Sequence, residues 1–155
     1  MHKASLTVLL ACMSLGACSS APSVAELQAR SQLSGADQAV HIGKYDSAEK
    51  ILGQYVYRDD RGNLKMRYAG ISGDNRKQAI DTVVSLLWAT GRDDTLKQFA
   101  DDYLSGDEYK ATMCRLSERQ ALYEEAYNCW NKMGEPDRAE RVIRTEAALR
   151  ILGTP

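Results

Sequence analysis

Histidine is nearly absent: the chain has two in 155 residues, and one of them is at position 2. Two are too few for most histidine-built metal sites. His41 sits beside Ile42 near an expected helix end, where packing or a contact with the helix dipole explains it better than catalysis. Excess charge of either sign is missing as well. The 20 basic and 21 acidic residues give a formal net charge of −1, so there is no electrostatic footprint for nucleic acid. The chain contains no HExxH, no phosphate-binding P-loop and no dinucleotide glycine fingerprint. Gly70-Ile71-Ser72-Gly73 falls one residue short of a nucleophile elbow.

Carboxylates occur in adjacent pairs, Asp59-Asp60, Asp93-Asp94 and Asp101-Asp102. Neighbours on a helix diverge by about 100°, and the loop pairs lack the alternating spacing of a calcium loop. Asp93-Asp94 fits capping of a helix N-terminus. These features argue against an enzyme, and the expectation is no metal and no cofactor. A cleft with two converging carboxylates of perturbed pKa would reverse that reading. What the chain does have is 44% apolar and 26% charged residues, enough to bury a core and too apolar for wholesale disorder. One compact domain or a short repeat array follows.

The first 17 residues, MHKASLTVLLACMSLGA, join a short basic start to an apolar stretch from Ala4 to Leu15. That stretch is too short to span a bilayer of roughly 30 Å as a helix, and it reads as a signal peptide. Leu15-Gly16-Ala17-Cys18 resembles the lipobox of bacterial lipoproteins. The resemblance implies cleavage before Cys18, acylation of its thiol and its new amine, and no other attached group. The plainer alternative is an ordinary secretory signal that happens to hold a cysteine. Cys12 would be lost with the signal. Ser19 stands where an aspartate would favour inner-membrane retention, so the resemblance points to the periplasmic face of the outer membrane. Several acyl chains anchor far more firmly than one. Residues 18–24 then form a lipidated tether whose flexible part, Ser19-Ser20-Ala21-Pro22-Ser23, at roughly 3.5 Å per residue holds the domain within about 20 Å of the membrane.

Cys114 and Cys129 remain, fifteen residues apart. In an oxidising compartment an even pair suggests a disulfide. Ser117 and Gln120 have capping-box spacing, which predicts one helix ending near Leu116 and another beginning after Ser117. A hairpin turning near residues 117–121 sets positions 114 and 129 at similar heights, within bridging reach. Free buried thiols are one alternative. A redox pair is the other, although there is no Cys-x-x-Cys spacing and no neighbouring histidine.

Helical periodicity dominates residues 25–152, which read as a single all-α domain. Val24–Ile42 carries an apolar stripe with Gly35 as its weak point. An amphipathic helix is expected from about Asp46 to Tyr57, then others built on Ile80–Trp88, Leu96–Leu104, Tyr109–Leu116, Leu122–Met133 and Ala139–Ile151. Glycines close these helices, and Asp, Ser or Pro open them. Three junctions look alike: Gly43-Lys44-Tyr45-Asp46-Ser47-Ala48, Gly134-Glu135-Pro136-Asp137-Arg138-Ala139 and the degenerate Gly91-Arg92-Asp93-Asp94-Thr95-Leu96. With Tyr123, Ala126, Tyr127 and Trp130, this resembles tetratricopeptide-type repeats and implies stacked antiparallel helical hairpins. The turns lie 48 and 43 residues apart against that family's 34, so a compact helical bundle remains the alternative.

Residues 59–73 break the helical pattern. Leu64, Met66 and Tyr68 alternate with Lys65 and Arg67, so with Tyr55-Val56-Tyr57 they could form a small β-hairpin across Arg61-Gly62-Asn63. The alternative is a long solvated loop. Long loops inside compact domains are often functional. Tyr55, Tyr57, Arg61, Lys65, Arg67 and Tyr68 are accordingly the candidate partner-binding residues. The expected function is that of an outer-membrane-anchored scaffold or assembly factor for envelope, pilus or secretion machinery, with an envelope protein as partner. A pilotin-like chaperone escorting a secretin subunit is the alternative. A cell-wall-acting enzyme or inhibitor stands below both.

Overall fold

The computed structural model describes residues 22–67, 71 and 73–153. The chain is all-α, with one small two-stranded antiparallel sheet. The elements run α1 (Val24–His41), α2 (Tyr45–Leu52), β1 (Val56–Arg58), β2 (Leu64–Met66), α3 (Gly73–Ala89), α4 (Asp93–Tyr103), α5 (Gly106–Arg119), α6 (Tyr123–Lys132) and α7 (Pro136–Leu152). No helix among the described residues is long and apolar enough to cross a membrane.

Local chemistry explains the helix ends. The Ser23 hydroxyl accepts the Glu26 N–H at 3.2 Å, and the Glu26 carboxylate accepts the Ser23 N–H at 2.8 Å. This reciprocal capping box starts α1. Ala29, Leu33, Ala36 and Val40 then recur on its buried face.

Four turns share one geometry. Gly43, Gly91, Ala121 and Gly134 all take a left-handed φ, between 58° and 76°. In each, the next residue's N–H returns to a carbonyl five positions earlier: Lys44 to Ala39, Arg92 to Leu87, Leu122 to Ser117 and Glu135 to Trp130. This is the Schellman arrangement, which satisfies carbonyls left over at a helix end. Five residues past each left-handed position a side chain is buried where the helices meet: Ala48, Leu96, Ala126 and Ala139. The turns at 43, 91 and 134 are those expected from the sequence at glycines. The fourth was expected over residues 117–121 and falls at the end of that stretch, on Ala121, where alanine stands in place of a glycine signal.

That fourth turn corrects the expectation for residues 114–121. α5 continues through Ser117 to Arg119, and Ser117 offers its carbonyl to the Leu122 N–H instead of capping a new helix. A second correction concerns α2, which ends at Leu52 and does not reach Tyr57. Gly35 does not interrupt α1.

The hairpin pairs Val56 with Met66, Tyr57 with Lys65 and Arg58 with Leu64. Asp59 shapes its turn, accepting the Arg61 and Asn63 N–H groups at 3.0 and 2.8 Å. Gly62 takes φ 81°, a conformation that costs glycine little. Two strands alone are marginal in water. Here β2 leans on α4: the Leu64 N–H donates to Gln98 Oε1 at 3.0 Å, and the Met66 N–H donates to the Tyr103 hydroxyl at 2.9 Å.

Two apolar clusters form the interior. One gathers α1–α4 and the hairpin around Leu33, Leu52, Leu87, Leu96 and Phe99. The other joins α5, α6 and α7 around Cys114, Ala126, Trp130, Ala139 and Val142. Leu116 reaches from α5 into the first cluster and helps bind the two together.

Candidate functional site

The hairpin is the one β element among the described residues, and helices hydrogen-bond to it on one edge only. The main-chain hydrogen bonds give its orientation. Arg67 N–H donates to the Tyr55 carbonyl at 2.7 Å, and Asp59 N–H donates to the Asn63 carbonyl at 2.9 Å. Bonded pairs alternate along an antiparallel ladder, so Tyr57 and Lys65 are the pair between them. The main-chain groups of Val56, Arg58, Leu64 and Met66 therefore turn outward. On the β2 side they meet Gln98 and Tyr103.

The candidate residues separate into distinct roles. Tyr55 is a correction: it is only 7% exposed, its hydroxyl donates to Gln32 Oε1 at 2.5 Å, and burial raises its phenol pKa. It is a core residue tying the hairpin to α1. Tyr57 is 45% exposed, and the Arg67 guanidinium lies 5.9 Å from its ring centre. Cation–π contacts reach to about 6 Å, so this pair is at the outer limit. Lys65 Nζ lies 2.7 Å from an Asp102 carboxylate oxygen. That hydrogen bond raises the Lys65 pKa. Lys65 thus anchors the hairpin to α4. Arg61 is exposed at the turn. Tyr68 lies outside the described residues, as do Leu15, Gly16, Ala17 and Cys18.

A small apolar pocket of about 240 Å³ opens beside β1. Val56 and Leu64 contribute from the hairpin, Leu52 from α2, and Val83, Leu86 and Leu87 from α3. An ion pair between Arg92 and Glu49 lies at its border. These residues were not singled out as a site from the sequence, where each reads as core at helical spacing. A larger hollow of about 760 Å³ lies between α1 and α3 and is lined mainly by polar and charged residues. Its Lys77 is already paired with Asp81 at 3.1 Å and Glu108 at 3.7 Å.

Each aspartate pair has a structural explanation. Asp93 accepts from Arg119 at 2.9 Å. Asp101 accepts from Lys97 and Tyr109, and these bonds hold its carboxyl below the usual range. Asp102 engages Lys65 and Gln98. Asp59 is held low despite some desolvation, because the Asn63 and Arg61 N–H groups donate to it. The His41 ring lies 2.9 Å from the Asp37 carbonyl, at the exposed end of α1. Among the described residues no group of three His, Cys, Asp or Glu side chains is placed to hold a metal ion.

Cys114 and Cys129 lie at disulfide distance, with Cα atoms 5.4 Å apart, and link α5 to α6 in the second cluster. Cys114 is fully buried. The chain matches no protein-family model, no curated protein and no solved structure, so its chemistry is read from its own side chains.

Proposed function

We propose that this chain is a lipid-anchored periplasmic scaffold or assembly factor of the outer membrane that docks an envelope protein through its hairpin. The observation that carries the reading is the exposed Tyr57–Arg67 surface beside an open apolar pocket, held in place by Lys65–Asp102. Exposed aromatic and arginine side chains beside a small pocket are typical anchors of a protein interface. The lipobox resemblance of Leu15-Gly16-Ala17-Cys18 supports the anchor. The Cys114–Cys129 pair suits an oxidising compartment. Four turns of one geometry support a degenerate tetratricopeptide-like stack of hairpins. Tethering raises local concentration, so modest intrinsic affinity suffices.

A pilotin-like grip on a partner helix asks for a deep apolar groove. The apolar pocket here holds about 240 Å³, nearer to one side chain than to a helix face. In-cell photo-crosslinking from Tyr57 tests the docking reading, with one envelope protein captured reproducibly as the expected result. Fractionation tests the anchor: Cys18→Ala should leave the membrane fraction. A variant that stays there at wild-type level refutes lipid anchoring.

A further inference from the structure

The hairpin's two edges are treated differently. The outward N–H groups of β2 are both closed, Leu64 by Gln98 and Met66 by Tyr103. The outward groups of β1 belong to Val56 and Arg58, and no described residue donates to or accepts from them. An open strand edge is a row of ready donors and acceptors, which natural proteins ordinarily cover, shorten or charge. Here the edge lies beside the apolar pocket, and Val56, Tyr57 and Arg58 themselves help line it.

We infer that the outer edge of β1 accepts an extended segment of the partner as a third strand, with alternate apolar and acidic residues. This rests on the docking function proposed above and gives the partner its chemistry. Strand addition takes its affinity from main-chain hydrogen bonds and its specificity from pockets that receive alternate side chains. Residues beside Val56 and Arg58 face the pocket. At about 240 Å³ it lies below the usual 300–1,000 Å³ of small-molecule sites, about right for one large apolar side chain. Residues beside Tyr57 face the opposite side, towards Arg67. Charge complementarity makes those acidic. Residues 55–67 carry four basic side chains against two acidic ones, and among the described residues Lys65 alone of the four is paired with a carboxylate. On the Tyr57 face Arg67 is exposed and has no carboxylate within ion-pair distance among the described residues.

The test uses the full-length chain and fluorescein-labelled seven-residue peptides that alternate valine with glutamate, or valine with lysine. Anisotropy should show saturable binding of the glutamate peptide and at least tenfold weaker binding of the lysine peptide. N-methylation of every second peptide amide should abolish binding in one register and spare it in the other, because only one register faces β1. Bound peptide should slow exchange of the Val56 and Arg58 amides. Val56→Pro removes one outward N–H without touching the β1–β2 ladder and should weaken binding about tenfold. No saturable binding, equal binding of both charge types, equal tolerance of both methylation registers, or protection confined to helices would each overturn the inference. If Tyr57 captures its partner equally well in the Val56→Pro background, docking stands and strand addition falls. If Tyr57 captures nothing in the wild type, docking itself fails.

Discussion

Arg119 lies over the Trp88 ring, its guanidinium carbon 4.1 Å from the ring centre, while its Nη2 donates to the Trp88 carbonyl at 2.8 Å. The same guanidinium reaches Asp93 through Nη1 at 2.9 Å. One side chain from the end of α5 thus caps the end of α3 and engages the start of α4. With Leu116 it forms the seam between the two apolar clusters.

Arg119→Ala should therefore destabilise the fold by about 2 kcal/mol, since it removes a stacked cation and leaves a helix-end carbonyl and a carboxylate without their partner. Arg119→Lys should recover less than half of this, because an ammonium reproduces neither the planar fork nor the stacking. Urea denaturation of the three proteins measures the difference. Equal stability of the lysine variant and the wild type would remove the stacking argument.

Ala121 takes φ 58°, a left-handed conformation that costs a residue with a Cβ roughly 1–2 kcal/mol relative to its normal basin. Glycine relieves that strain but gains freedom in the unfolded chain. Ala121→Gly should stabilise the protein by about 0.5–1 kcal/mol, read as a rise in Tm. A fall in Tm would mean that the turn is not held left-handed in solution.

The Cys114–Cys129 link closes a loop of sequence separation 15, for which chain entropy gives about 3 kcal/mol. The double variant Cys114→Ala/Cys129→Ala should lose about that much. The wild type should lose a comparable amount on reduction. Amide exchange should quicken first in α5–α7, where the cluster around Trp130 is small. Free thiols in the purified oxidised protein, found by mass, would contradict the link.

Hydrogen bonds shift Asp101, Lys65 and Tyr109, among other surface groups, in directions that can be titrated. Asp101 is held below its ordinary 3.8 by Lys97 and Tyr109, so its stabilising contribution is present above that value and disappears as pH falls through the lowered folded value. Lys65 is raised above 10.5 by its bond to Asp102, so the hairpin tether holds below that value and is lost as pH rises through the raised one. Bonding to Asp101 also raises Tyr109 above 10.0. Side-chain NMR titration should place Asp101 below 3.8 and Tyr109 above 10.0. Asp102→Asn should return Lys65 towards 10.5.

Much of the architecture was legible because its signals are local. Glycine at 43, 91 and 134 marks three turns, since each needs a left-handed residue that glycine adopts most readily. The alternation of Leu64, Lys65 and Met66 marks β2 for a similar reason, since side chains change face at every residue of a strand. Ala121 escaped because its conformation is imposed by packing and not favoured by its own chemistry. Tyr55 escaped for the converse reason: an aromatic beside exposed basic residues looks like surface until Gln32 and α1 close over it.

The site was legible only in part. Tyr57, Arg61, Lys65 and Arg67 stand together in the chain and could be grouped on that ground. Asp102, Gln98 and Tyr103, which decide that Lys65 is an anchor and that the β2 edge is closed, lie more than thirty residues away. No local pattern carries that information.

By itself the sequence determined the helical class, the glycine-marked turns and the pairing potential of two cysteines, because periodicity, glycine torsion and covalent reach act over short stretches of chain. Only the tertiary structure decided which edge of the hairpin stays open, which tyrosine is core and which is surface, and that Arg119 joins the two clusters. Those outcomes depend on which distant side chain arrives to satisfy a donor, cover a ring or fill a gap, and that is settled when the helices pack.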